Sequence, residues 1–236
     1  YALLMTEDDE AETTTKIEKG LYANDVSRNR RYLVLDLMAE QGYITQKKAD
    51  KAKKPLEDFI DPGGEMDNAI KKIQQANAKL EYIILTHGHF DHIMGLKDLK
   101  DKLGGRVLIH RDDKDMLTDN GKNLSNALGM PLPKVEADDI IDEGTLKIAD
   151  DRLRIIHTPG HTPGSICIVL RDIIFSGDTL FRMSIGRTDL PGGNYPRLIK
   201  SIREKLFVLD GDFDVYPGHG ECTSLSVEKA RNPFLT

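Results

Sequence analysis

The stretch Thr86-His87-Gly88-His89-Phe90-Asp91-His92 sets three imidazoles and one carboxylate within six consecutive positions. It follows Tyr82-Ile83-Ile84-Leu85, a short apolar run that reads as a buried strand. A helix would put His87 and His89, two positions apart, on different faces. In a loop at a strand's end, alternate residues can instead turn toward two neighbouring points. His87 and His89 can then bind one metal ion while Asp91 and His92 reach a second. Imidazole and carboxylate donors suit zinc, iron and manganese. The competing reading is a solvated histidine-rich loop, and what lies downstream counts against it.

Three further candidate ligands come in order. His161 lies in Thr158-Pro159-Gly160-His161-Thr162-Pro163-Gly164-Ser165, Asp178 in Phe175-Ser176-Gly177-Asp178-Thr179-Leu180-Phe181, and His219 in Tyr216-Pro217-Gly218-His219-Gly220-Glu221. Each follows an apolar, strand-like run and sits in a glycine-containing turn that lets the backbone bend sharply. Five of the seven histidines belong to this set, which argues against scatter. On these motifs, over roughly residues 59 to 236, the chain resembles the metallo-β-lactamase-fold hydrolases and most closely the small glyoxalase II-like (hydroxyacylglutathione hydrolase-like) proteins.

Length and composition narrow the class. The 236 residues suffice for one sizeable domain, alone or with an appendage. With 39% hydrophobic and 31% charged residues and a net charge of −6, the chain reads as soluble and globular. It lacks the basic footprint of a nucleic-acid binder and any apolar run of membrane-spanning length. Ala2-Leu3-Leu4-Met5 is too short for a signal peptide and is followed by acids. Cys167 and Cys222 offer little disulfide framework and are expected as reduced thiols in a cytoplasmic protein.

From residue 59 onward, strands are expected at Tyr82 to Leu85, Val107 to His110, Leu146 to Ile148, Leu153 to His157, Ser165 to Leu170, Ile173 to Ser176 and Asp214 to Tyr216. Helices are expected around Ile70 to Asn77, Gly95 to Leu103, 111 to 118, Tyr195 to Leu206 and Ser224 to Arg231, and 119 to 139 as a surface excursion over the site. Alternating strands and helices imply layered α/β packing, which the resemblance sharpens to an αββα sandwich with the metals at one edge between the sheets.

The N-terminal 58 residues depart from the family. Its members lead through two or three strands into an Asp-Pro-Gly loop; here the loop is present as Asp61-Pro62-Gly63, but the preceding strands are not evident. Residues 28 to 54 read as a helical hairpin, with Gly42 as a C-terminal cap, Thr45 as an N-cap and Pro55 as a stop. About residues 28–58 resemble the tail of a class A penicillin-binding protein glycosyltransferase domain, without any catalytic residue of that family. The expected organisation is therefore a largely helical segment 1–58 in place of the usual first strands, foreign to the family or an unusual start within it, then a metallo-β-lactamase-fold domain 59–236. That N-terminal segment is the expected route to an oligomer.

The resemblance implies two divalent ions, zinc before iron or manganese: one on His87, His89 and His161, the other on Asp91, His92 and His219, with Asp178 bridging. Ions roughly 3.5–4 Å apart can share a hydroxide, whose formation at a pKa near about 7 makes a nucleophile without Ser or Cys. Thioester hydrolysis of the S-lactoylglutathione type is the expected reaction, with Asp91 orienting the hydroxide. An aspartate at 178 argues against β-lactam hydrolysis, where Cys or Ser generally stands, and His89 argues against the flavodiiron branch. The alternatives are a mononuclear iron persulfide dioxygenase and a catalytically impaired chimera. Arg182, Arg187 and Tyr195 are candidate contacts to an acidic substrate tail, with surface ion pairs the competing reading. Asp61 is a candidate acceptor for a ligand imidazole, and equally a turn-forming Asp before Pro. His110, His157 and Cys167 are expected to pack or hydrogen-bond in ordinary ways.

Overall fold

The computed structural model describes residues 3–4, 56–60, 63, 70, 71, 73, 74, 79–148 and 151–235. In chain order these form β1 (Leu3–Leu4), β2 (Leu56–Ile60), β3 (Lys79–Ile84), α1 (Phe90–Ile93), α2 (Leu96–Leu103), β4 (Arg106–Ile109) and β5 (Asp139–Ile140). Then come β6 (Gly144–Ile148), β7 (Asp151–His157), β8 (Ile166–Leu170), β9 (Ile173–Gly177), β10 (Leu180–Phe181), β11 (Ser184–Ile185), α3 (Tyr195–Ser201), β12 (Asp214–Pro217), β13 (Thr223–Ser224) and α4 (Leu225–Arg231). A 3-10 helix, Arg111–Leu117, follows β4, and a π-helical turn, Ile202–Leu206, continues α3.

One sheet has the order β1-β2-β3-β4-β5, the other β13-β12-β9-β8-β7-β6. Period-two alternation divides the apolar residues into three cores. Ile84, Leu108, Ile155, Ile166, Ile168 and Phe175 fill the space between the sheets. Their neighbours Ile83, Leu85, Val107 and Ile109 face outward and take up Ile70, Ile73, Leu96 and Leu99. On the far side Cys167, Val169, Ile174 and Val215 receive Leu198, Ile202, Leu206 and Leu225 from α3, its π-helical continuation and α4. β8 and β9 are buried along both faces, which is why β8 and the first three residues of β9 run apolar without alternation. The result is the expected αββα sandwich, and Cys167 is a core residue.

The structure differs from the sequence reading just before the Asp-Pro-Gly loop. Leu56–Ile60 is a strand, parallel to β3 and carrying β1 antiparallel on its outer side. Glu57-Asp58 interrupts the apolar pattern there and hides the strand from propensity; pairing with β3 supplies what local sequence does not. This strand runs across the expected boundary at 58/59. The helical hairpin at 28–54 and the side chain of Asp61 lie outside the described residues.

Candidate metal centre

Every candidate ligand leaves the carboxyl end of a strand. His87, His89, Asp91 and His92 follow β3, His161 follows β7, Asp178 follows β9 and His219 follows β12. Backbone bonds draw these ends together. Ile166 N donates to Thr86 O at 2.9 Å, joining the two sheets beside the first loop. β9 and β12 are parallel neighbours, and Gly218 N donates to Gly177 O at 2.7 Å, so Asp178 and His219 emerge side by side. A register shift at Tyr216/Pro217 re-aims the end of β12 just before His219.

The seven side chains meet as two adjoining halves. His87, His89 and His161 form one grouping, and Asp91, His92 and His219 another. His89 Nδ1 and His161 Nε2 are 2.8 Å apart, and His92 Nε2 and His219 Nε2 3.4 Å. Asp178 touches both halves: Oδ1 lies 3.3 Å from His92 Nε2, and Oδ2 lies 3.6 Å from His161 Nε2 and 3.4 Å from His219 Nε2. Asp91 Oδ2 is 2.9 Å from His219 Nε2.

The donor set fits metal. A proton on His161 Nδ1 is donated to the Arg187 carbonyl at 2.8 Å, leaving the Nε2 lone pair facing His89. Thr86 Oγ1, 3.2 Å from His87 Nδ1, does the same for His87, whose Nε2 is buried with no hydrogen-bond partner. A buried nitrogen that keeps a lone pair needs a donor or a cation, and one metal ion would serve several such nitrogens at once. Burial, reinforced by neighbouring imidazoles, holds His87 well below the ordinary histidine range and His89 down at about 3; burial also lowers His161. In the other half, burial raises Asp178, but the attraction of His92 and hydrogen bonds from His219 and His92 bring it well below the carboxylate range. Asp91 is lowered in the same way against burial, chiefly by its hydrogen bond with His219. Burial disfavours a charge on His219, yet its hydrogen bonds to Asp178 and Asp91 prevail and raise it.

The outlying candidates fall elsewhere. The Arg182 guanidinium pairs with Glu221, and that of Arg187 bonds Asp189 at 2.8 and 2.7 Å; both are exposed. Tyr195 is exposed in the first turn of α3. Gly63 packs so closely that a Cβ would lie 2.1 Å from Asp91 O, which sets Gly63 against the first metal loop. His110 and His157 stack at 3.9 Å with planes 17° apart, and His157 Nε2 bonds Pro163 O at 2.9 Å. They group with Asp112, but lone pairs in nearly parallel planes do not converge on one ion, so this pair packs as expected.

Sequence reasoning passed over Asp113. It sits in Arg111-Asp112-Asp113-Lys114-Asp115, a charge run that reads as a solvated face, yet it is fully buried and bonded to Gly88, Thr162 and Gly164. Its spacing to Met116 and Leu117, three and four residues on, was the available signal. Burial pushes its carboxyl up to about 6, against the pull of those donors.

A layered αββα fold with this ligand set at its edge defines a class. The chain belongs to the Metallo-beta-lactamase superfamily, whose pattern matches residues 60–219. It is 40% identical to the probable metallo-hydrolase YqgX of Bacillus subtilis and 38% identical to the hydroxyacylglutathione hydrolase GloC of Haemophilus influenzae, in both cases over 75% of this chain and 86% of the relative. Among solved structures, BLEG-1 B3 metallo-beta-lactamase is similar at a TM-score of 0.73 and 36% identity, covering 77% of this chain and 89% of that one. TTHA1623 in a di-iron-bound form follows at 0.67 and 34%, covering 75% and 88%. The likeness of residues 28–58 to a glycosyltransferase tail falls outside the family match and finds no support in these comparisons. Among the described residues no helix is long and apolar enough to cross a membrane.

Proposed function

We propose that the chain is a dinuclear metal-dependent hydrolase of thioesters, acting in the cytoplasm. The observation that carries this reading is Asp178, whose two carboxylate oxygens reach imidazoles of both halves. Two divalent ions held there, zinc before iron or manganese, would supply a hydroxide at neutral pH and a positive field for the oxygen that gains charge. Asp91, hydrogen-bonded to His219 and partly open to solvent, orients the nucleophile. A thiolate leaves without a general acid, and among the described residues the His and Asp side chains of the cluster are all assigned as ligands. Arg182, Arg187 and Tyr195 offer an acidic substrate tail its contacts, once the Glu221 and Asp189 ion pairs open. Asp61 stays the proposed acceptor for a ligand imidazole on the strength of the sequence alone. The likeness to GloC supports a glutathione thioester such as S-lactoylglutathione.

A one-iron persulfide dioxygenase would need only His87, His161 and Asp178, and the convergence of Asp91, His92 and His219 counts against it. The test is metal content per chain, followed by turnover of S-lactoylglutathione, a chromogenic β-lactam and a glutathione persulfide. About two ions and thioester cleavage are expected. One iron with oxygen uptake, β-lactam cleavage alone, or no metal after incubation with zinc and iron would each overturn the proposal.

A further inference from the structure

Asp113 belongs to neither half of the centre, yet it is tied to both segments that build one of them. From the 3-10 helix Arg111–Leu117, its Oδ2 accepts from Thr162 Oγ1 at 2.6 Å and from Gly88 N at 3.3 Å, while Oδ1 accepts from Gly164 N at 2.7 Å. Gly88 stands between His87 and His89; Thr162 follows His161. A single buried carboxylate therefore spans the two loops that carry all three imidazoles of one grouping.

The contact is close on both sides. A Cβ at Gly164 would meet Asp113 at 2.7 Å, and one at Gly88 would meet Met116 Cβ at 2.5 Å, so glycine alone lets this helix lie on both loops. Thr162 is braced further, its N–H donating to Ser165 Oγ at 3.0 Å and its Oγ1 lying 2.7 Å from the same atom. The other half shares the first of these loops through Asp91 and His92, but its closing ligand is held differently: His219, with Asp178, is set by the Gly218–Gly177 backbone bond, which Asp113 does not touch.

From this asymmetry we infer that Asp113 is a positioning residue that sets the separation between the His87–His89 pair and His161, and so governs metal occupancy of that half alone. The inference rests on the reading of the cluster as a dinuclear centre. Asp113→Asn keeps the shape but turns an NH2 group toward one or more of three donors. An outer partner of this kind commonly changes metal affinity by about 10–100-fold.

The experiment is cobalt titration of the apo full-length chain, with absorption spectra and chelator competition, on wild type, D113N, T162V, H89A and H219A. Two ions are expected in wild type. In D113N one ion should bind within about threefold of wild type and the other about 10–100-fold more weakly, and the spectrum at one equivalent should match that of H89A rather than H219A. T162V, which removes one of the three donors, should show the same selectivity to a lesser degree and decides the matter if D113N fails to fold. A wild type that binds no metal sinks the parent proposal. A normal wild type with equal weakening of both ions, no weakening, or the H219A pattern in the variants overturns this inference alone.

Discussion

Gly218→Ala should disable the metal centre without altering a single ligand. Gly218 has no left-handed φ, so alanine meets no backbone strain there. Space is the obstacle: a Cβ would lie 2.0 Å from Asp178 Oδ1, 2.8 Å from His92 Cε1 and 3.0 Å from Gly177 C. Carbon and oxygen relax at roughly 3.3 Å or beyond, so the carboxylate oxygen must retreat by more than about 1 Å, whereas ligand distances tolerate only about 0.2 Å. Because Asp178 faces both halves, both ions should weaken, by about 100-fold or more. Overpacking should also cost about 1–3 kcal/mol of fold stability, which lowers the apo midpoint by about 2–12 °C at this chain length. The assay pairs metal analysis after dialysis with thermal melting of the apo chain. Gly220→Ala is the control. It adopts φ +84° with nothing within 4 Å of a new Cβ, so it should lose about 1–2 kcal/mol of backbone energy and keep its metal. A G218A chain that retains two ions and full activity, or a G220A chain that loses metal equally, would show that crowding of Asp178 does not control the site.

Other outcomes follow from the same geometry. His219 is raised by its carboxylate partners and carries a proton into the pH range where His87, His89 and His161 are neutral. That proton must leave before the nitrogen can ligate, so metal affinity should fall as pH drops through the His219 pKa; calorimetry at pH about 6.5 in two buffers should detect more than half a proton released, and zero release would contradict it. Arg187→Ala should keep wild-type metal content, because the acceptor for His161 is the backbone carbonyl, while KM for a thioester with an acidic tail rises; lost metal or an unchanged KM would refute one half each. In the native chain a thiol reagent should label Cys222 alone, since Cys222 is exposed and Cys167 is buried; burial pushes both thiols up to about 11, so access and not acidity separates them. Rapid labelling of both without denaturant would refute that packing.

The residues of the cluster were legible because their chemistry is written locally. His87 to His92 supply four donors in one loop, and the glycine turns around His161, Asp178 and His219 each end a strand-like run. The inner strands were legible for a similar reason, since β8 is apolar throughout and β9 opens on Ile173-Ile174-Phe175. What escaped depends on distant partners. β2 carries Glu57-Asp58 and owes its state to β3. Asp113 is one of three aspartates in five residues, and only the docking of Gly88 and Gly164 decides which one turns inward. The Arg187 side chain invited a substrate role, while its carbonyl acts on His161, and a backbone atom leaves no signature in residue type.

The paired imidazoles are far apart along the chain. His89 meets His161 across 72 positions, and His92 meets His219 across 127. Ions held by such residues close one long loop in each half, much as a cross-link would, and the unfolded chain offers no comparable preformed site. Binding free energy is then folding free energy, growing with the logarithm of free metal over its dissociation constant. Chelation should accordingly act on this protein as reduction acts on a disulfide-linked one. The endurance of its fold in a cell becomes a function of metal supply, not of sequence alone.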